Sequence, residues 1–286
     1  MDGSESEYLS SRNGTSLPKS SPTCRYSVTV VGGGRVARAL SSALVSAGCR
    51  TVMSGRDAGK IADAAAGCGA EWVLMDDIRP SDCVIIAVSD DAVAEVSSRV
   101  ADMASSDGMS WRDTVVAHTS GTVPLSKLDA RLPHRGVFYP LLSFTGRCDD
   151  FASAPLLIEG SDSSAADMLS SLAGALGSRY AVMGSKERGM VHLAAVFANN
   201  FAVRMQSLAF ELCSSYGIDY ELLRPLVAGA SLRAATAGVD PHDCQTGPAS
   251  RGDVTTIERH KAMLAGDAHL SAVYDLITES IMKTRK

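Results

Sequence analysis

Four places along the chain combine residue types and spacings suited to chemistry. The first is Gly32-Gly33-Gly34-Arg35-Val36-Ala37, a GxGxxA spacing that follows an apolar run and opens a helical stretch. Gly32 permits a tight turn, Gly34 lets a pyrophosphate approach the backbone, and Ala37 lets the helix pack closely on the strand. The free amides of Gly33, Arg35 and Val36, at the positive end of the helix dipole, would face the phosphates. The spacing alone also fits a glycine-rich turn without a ligand. The strand–turn–helix context favours a nicotinamide dinucleotide.

The second place decides which dinucleotide. NAD-specific sheets set an Asp or Glu about 20 residues on, against the ribose 2′-hydroxyl. This chain offers Ser54-Gly55-Arg56 instead. A hydroxyl and a guanidinium suit the 2′-phosphate of NADP, since Arg makes bidentate, charge-assisted bonds to phosphate. The alternatives are NAD as cofactor and Arg56 as an ordinary solvated loop residue.

The third is a set of segments ending apolar runs. In Ala87-Val88-Ser89-Asp90-Asp91, Val88 and Ser89 would line the cofactor cleft, while Asp90 or Asp91 is better read as the cap of the next helix. His118-Thr119-Ser120-Gly121 falls at the carboxyl end of a strand, where open α/β sheets bind ligands. His118 could donate to a substrate oxygen or, with Thr119, support the nicotinamide ring; the other reading is a histidine bonded to nearby backbone. Ser120 and the rim segment Tyr139-Pro140-Leu141, through Pro140, would meet substrate.

The fourth is helical. At 100° per residue Arg188, His192, Asn199 and Gln206 fall within about 40° of one another. Such a polar stripe on an apolar helix is costly unless it faces a cleft or is paired. His192 is the candidate acid or base and Asn199 the orienting amide, with Asn200 turned about 80° away from His192; a helix-packing network is the alternative. Further on, Thr246-Gly247-Pro248-Ala249-Ser250-Arg251-Gly252-Asp253 sets a rigid loop. Arg251 could clamp an anionic substrate or a partner subunit, and Asp253 could cap the helix carrying His260.

The elements that must hold these residues follow from the periodicity. From Arg25, short apolar runs (27–31, 51–53, 82–88, 114–117, 136–139, 155–159, 180–183) alternate with helical stretches (35–47, 91–103), as in βαβ units. Runs without polar alternation imply strands covered on both faces, hence a parallel sheet. After about Ser185 the strand signal stops, and helices are expected over 186–216, 220–237, 254–265 and 270–283. The expected organisation is a polar, disordered tail over 1–24, a doubly wound Rossmann domain over 25–184 and an all-helical domain over 185–286.

Composition bounds the class. The chain has 286 residues, 45% hydrophobic and 21% charged, with a net charge of −5 and no basic stripe. Nucleic-acid binding, which needs many phosphates neutralised, is therefore not expected. No run approaches the roughly 18 apolar residues of a membrane span. Seven scattered cysteines without a CxxC pair suggest free thiols in a reducing, cytoplasmic setting, and no Cys/His spacing suits a metal.

Taken in order, Gly32–Ala37, Ala87–Asp91, His118–Gly121, Tyr139-Pro140-Leu141, the run from His192 to Phe201, and Thr246-Gly247-Pro248 with Arg251-Gly252-Asp253 and His260 resemble a bacterial family provisionally assigned as NADP oxidoreductases. Its members have a Rossmann-like domain followed by a helical domain of unassigned function. The resemblance covers nearly everything from Arg25 onward. It implies kinship with pyrroline-5-carboxylate reductase, ketopantoate reductase and the 6-phosphogluconate dehydrogenase group. It further implies hydride transfer with a small carbonyl, imine or hydroxy-acid substrate in a cleft between the domains, and a homodimer formed through the helical domain. Here His192 stands where those relatives commonly carry a Lys, and the family's Asn matches Asn200 where helical geometry prefers Asn199. Two other readings are a prephenate-dehydrogenase-like enzyme, from the His118–Gly121 loop with Tyr139-Pro140, and a nicotinamide-binding sensor without turnover.

Overall fold

The computed structural model describes residues 24–106, 111–145 and 151–284. They divide into two compact units between Ala195 and Val196.

The first unit is built on one eight-stranded sheet. Its strands are β1 (Ser27–Val31), β2 (Arg50–Gly55), β3 (Glu71–Leu74), β4 (Cys83–Ile86), β5 (Val115–His118), β6 (His134–Pro140), β7 (Leu156–Gly160) and β8 (Tyr180–Val182). They lie in the order β3-β2-β1-β4-β5-β6-β7-β8. The first six run parallel to one another, which is the doubly wound Rossmann arrangement. β7 runs antiparallel to β6, and β8 parallel to β7.

Both faces of the sheet are covered, which explains the unbroken apolar strands. In β4, Cys83 and Ile85 join one core with Leu40, Leu44, Ile61, Phe138 and Leu169. Val84 and Ile86 join the other with Val93, Val100, Trp111 and Leu132. The covering helices are α1 (Arg35–Ser46), α2 (Ala58–Cys68), α3 (Val93–Ser106) and α4 (Ser163–Ala175), and α5 (Ser185–Ala195) closes the unit. Asp57 caps α2 by accepting the Lys60 amide, and left-handed Gly69 ends it; Asp162 caps α4 through the Ala165 amide.

Two expectations are corrected here. Cys24 and Cys49 form a disulfide, so they are not free thiols. Their 25-residue separation hides the pairing, but each precedes one of two neighbouring parallel strands, and the register Ser27↔Arg50 brings their chain ends together. Cys68, Cys83, Cys213 and Cys244 are free; Cys148 lies outside the described residues, as does the expected disordered tail apart from Cys24. Neither Asp90 nor Asp91 holds the helix cap position either: both lie inside the short helical turn Asp90–Ala92. The Asp90 carboxylate accepts the Thr122 hydroxyl at 2.7 Å, and the cap position before that turn falls to Ser89, which makes no side-chain bond there.

The second unit is helical. A π-helical segment, Val196–Phe201, leads into α6 (Ala202–Ser215), followed by α7 (Arg224–Ala235), the short α8 (Pro248–Arg251), α9 (Val254–Met263) and α10 (Ala268–Lys283). Asp253 caps α9 through the Thr256 amide, and His260 shares a 2.9 Å hydrogen bond with Tyr274 on α10. This unit buries few apolar side chains: Leu208, Ala249 and Ile257 are covered, while Leu222, Leu232 and Met263 are at least 70% exposed. Among the described residues, no helix is long and apolar enough to cross a membrane.

Candidate functional site

The glycine-rich turn leaves β1 and opens α1. Gly32 has φ +134°, and a Cβ there would sit 2.3 Å from the Ala87 carbonyl oxygen, so only glycine fits. Its amide is held by the Ser54 carbonyl at 2.8 Å. At Gly34 the opposite holds: nothing lies within 4 Å of an added Cβ. Gly34 is the N-cap of α1 and makes no side-chain cap bond, so the first amides of α1 have no capping side chain. That is the cradle an anionic group needs at a helix N-terminus.

Beside the cradle lies a cavity of about 560 Å³, lined at the turn by Gly32 and Gly33, at the end of β2 by Gly55 and Arg56, and beyond β4 by Val88 and Ser89. Arg38 and Lys60, which belong to none of the sequence motifs, also line it. Arg38 follows Gly34 by one turn of α1 and Lys60 follows Arg56 by four residues, a spacing that could have revealed them. Arg38 Nε donates to the Gly33 carbonyl at 2.9 Å, bracing the turn. The Asp57 carboxylate, the first acid after β2, is engaged by the Lys60 amide at 3.0 Å, which holds its pKa below the usual carboxylate range. Ser54 is fully buried, with its Oγ unpaired among the described residues and outside the cavity lining. A dinucleotide therefore fits the turn, and a 2′-phosphate fits Arg56 with Arg38 and Lys60 at hand.

The carboxyl ends of β5 and β6 form a second cluster. His118 is fully buried; its Nδ1 accepts the Ser120 amide at 3.1 Å, and its Nε2 has no partner among the described residues. Burial, reinforced by the nearby Arg188 charge, pushes its pKa down to about 4, so the ring is neutral with its proton on Nε2. Thr119 is bonded through its amide to the Ile86 carbonyl. Ser120 Oγ accepts the amides of Thr122 and Val123 and so folds the loop back on itself. Pro140 is buried in β6, paired with Leu156.

The pair that stands out is Tyr139 and His192. Tyr139 Oη and His192 Nδ1 share a 2.9 Å hydrogen bond, with the rings edge to face. Gly121 lies against both: a Cβ there would be 2.6 Å from His192 Nδ1 and 2.9 Å from Tyr139 Cζ. Burial, with the Asp90 charge, raises the Tyr139 pKa, so the phenol keeps its proton. Tyr139 had been placed on this rim from sequence but without a role. Its signal in the sequence is a phenol at the carboxyl end of the apolar run Gly136–Tyr139, directly before Pro140.

Asn199 and Asn200 lie in the π-helical segment of the second unit, both exposed. The i→i+5 bonding of such a segment departs from 100° per residue, so the stripe argument linking His192 to Asn199 does not carry across it. Arg251 is exposed at the end of α8, ahead of left-handed Gly252.

Comparison with known proteins fits this architecture. Residues 154–281 match the family model described as a domain of unknown function, DUF2520. No curated protein matches the chain. Two solved structures share its fold at low identity: an imine reductase from Myxococcus stipitatus in complex with NADP+ (17% identical, TM-score 0.61, covering 90% of this chain and 93% of that one) and a 1-pyrroline-5-carboxylate reductase from Streptococcus pyogenes (14%, 0.62, 91% and 99%). A protein from Bacteroides fragilis, provisionally named an NADP oxidoreductase, is 30% identical with a TM-score of 0.80, over 91% of this chain and 98% of that one. With that identity along nearly the whole of both chains, the protein belongs to the family of this Bacteroides fragilis protein.

Proposed function

We propose that the protein is an NADP(H)-dependent oxidoreductase acting on a small carbonyl, imine or hydroxy-acid substrate. The observation that carries this reading is the uncrowded turn at Gly34, next to Gly32 and Gly33, which line a cavity together with Arg38, Arg56 and Lys60. Relatives named as NADP oxidoreductase and as imine and pyrroline-5-carboxylate reductases support it. NADP is favoured over NAD because Arg38, Arg56 and Lys60 line the cavity at the turn and past the end of β2, where the first acid, Asp57, is engaged in capping α2; Arg99, Asp63 and Glu95 line it as well.

The Gly32–Gly34 turn and the start of α1 would hold the dinucleotide, which would supply or accept the hydride. The chain supplies the proton. Tyr139, kept protonated by burial, can exchange a proton with His192 Nδ1 across their hydrogen bond, and His192 Nε2 can pass it on to substrate or solvent. Neutral His118 offers an Nε2–H at the end of β5.

Titration with NADPH and NADH by fluorescence tests the first half; tighter NADPH binding is expected. NADPH oxidation against cyclic imines, ketones and 2-oxo acids, and NADP+ reduction against amines and hydroxy acids, test the second. His192→Ala should bind NADPH normally and lose turnover. Failure to bind either dinucleotide would overturn the reading; tight binding with silence in both directions would favour a sensor.

We propose also that a second copy covers the helical unit. Leu222, Leu226, Leu232, Met263 and Leu276 are each 65–73% exposed, and a unit with so few buried apolar side chains resembles a core cut in half, as obligate interfaces do. A second copy presents the same surface in equal amount, which suits a two-fold interface.

A further inference from the structure

Arg188 lies one turn before His192 on α5, and its side chain is fully buried. Its guanidinium is shared among three segments of the first unit. One terminal nitrogen donates to the Glu159 carboxylate on β7; the other donates to the Val123 carbonyl at 2.6 Å and to Ser185 Oγ at 3.3 Å. Ser185 Oγ in turn donates to the Glu159 carboxylate at 2.7 and 3.0 Å and accepts the Leu125 amide at 3.1 Å.

Val123 and Leu125 follow Gly121 on the loop, and Ser185 and Arg188 precede His192 on the helix. The network therefore ties the two sides of the contact that Gly121 makes with His192 and Tyr139. A buried ion pair is weak evidence for stability, because desolvation offsets its attraction and apolar residues of similar volume often serve as well. What it supplies is geometry. The rigid guanidinium fork meets a carboxylate and a carbonyl at set angles, which an ammonium cannot do.

We infer that Arg188 and Glu159 are positioning residues: their ion pair sets the spacing between the Gly121 loop and α5, and so keeps Tyr139 within hydrogen-bond reach of His192. The inference rests on reading that pair as the proton-transfer group, but its test does not need a substrate.

The test is long-range 1H–15N NMR of the His192 ring in 15N-histidine-labelled protein, assigned by comparison with His192→Gln. The full-length protein should show the Nδ1 signal of a hydrogen-bonded nitrogen. In Arg188→Met/Glu159→Leu, which removes both charges together, that signal should shift to its value in free imidazole, with NADPH affinity unchanged. Where turnover is measurable, kcat should fall on the order of 10²-fold with KM for NADPH unchanged, as expected for misplacement by about 1 Å. Arg188→Lys should restore turnover only in part. If the double variant does not fold, Ser185→Ala and Glu159→Gln carry the same NMR readout. A wild-type Nδ1 signal in a folded variant of this set would overturn the positioning role, even if melting temperature fell. A protein that shows the expected shift yet turns over no substrate would count against the proposed activity alone.

Discussion

Tyr139 Oη and His192 Nδ1 share a 2.9 Å hydrogen bond across 53 residues of chain, and Gly121 is the gap in which they meet. One residue ends a strand, one sits on a helix and one turns a loop, so the pair exists only once the first unit is folded.

Gly121→Ala tests that arrangement. The new methyl would overlap His192 Nδ1 and the Tyr139 ring, and one of them must move. NADPH affinity should stay the same while kcat falls, by up to the roughly 10²–10⁴ that a proton-transfer group typically contributes. Steady-state kinetics beside a fluorescence titration would show it; an unchanged kcat would mean that the contact does not matter for turnover.

Gly34→Val and Gly32→Ala should fail in different ways. At Gly34 a side chain meets no protein atom, so the variant should fold and melt normally while losing about tenfold or more in NADPH affinity, as the side chain fills the space a pyrophosphate needs. At Gly32 the methyl meets the Ala87 carbonyl at a left-handed φ, so the melting temperature itself should drop.

Arg56→Ala should weaken NADPH binding and leave NADH nearly untouched. A charge-assisted hydrogen bond is worth about 1.5–3 kcal/mol, or on the order of 10- to 150-fold in affinity. With Arg38 and Lys60 lining the same cavity, the loss should lie toward the lower end, and Arg56→Ala/Lys60→Ala should lose more. Equal losses for both dinucleotides would contradict the 2′-phosphate assignment.

His118 predicts a pH dependence of stability. Its folded pKa, about 4, lies below the ordinary histidine value of 6.5, so the unfolded chain binds its proton first. The stability from burying the neutral ring is intact above pH 6.5 and lost as pH falls toward 4, by up to about 3 kcal/mol. Melting curves across that range should slope less steeply in His118→Asn. Asp162, whose pKa is held down to about 2 by the Ala165 amide and His134 against the opposing effect of burial, titrates below that window.

Native mass should be twice that of the chain. Leu222→Glu/Leu232→Glu should then yield a monomer; a monomeric wild-type chain by light scattering would rule out the second copy as the cover of the helical unit.

What the sequence made legible was local. The GxGxxA turn, the strand before it and the helix after it are fixed by neighbours a few residues away, and they stand where the pattern sets them. Ser54 shows the limit: it belongs to a strand covered on both faces, which buries it beside Met53, while Arg56, past the strand end, reaches the cavity. The Cys24–Cys49 disulfide depends on the register of two strands, and the Tyr139–His192 bond on a helix, a strand and a loop at once. Neither has a sequence spacing that announces it. The π-helical segment at Val196–Phe201 defeats any rule that assumes constant rotation along a helix.

The single reversal in the sheet, at β7, has a directional consequence. Because β7 and β8 run against the first six strands, the chain leaves β8 away from the carboxyl rim, and α5 must climb back toward it. Two ties measure that climb. Arg188 holds Glu159, which pairs with Val137 on β6, and His192 holds Tyr139, two residues further along the same strand. Four residues of helix rise about 6 Å and two residues of strand about 6.6 Å, so helix and strand keep pace. A parallel β7 would have sent α5 the other way, and its imidazole would have been carried off from the rim where the cofactor turn and the His118 loop converge.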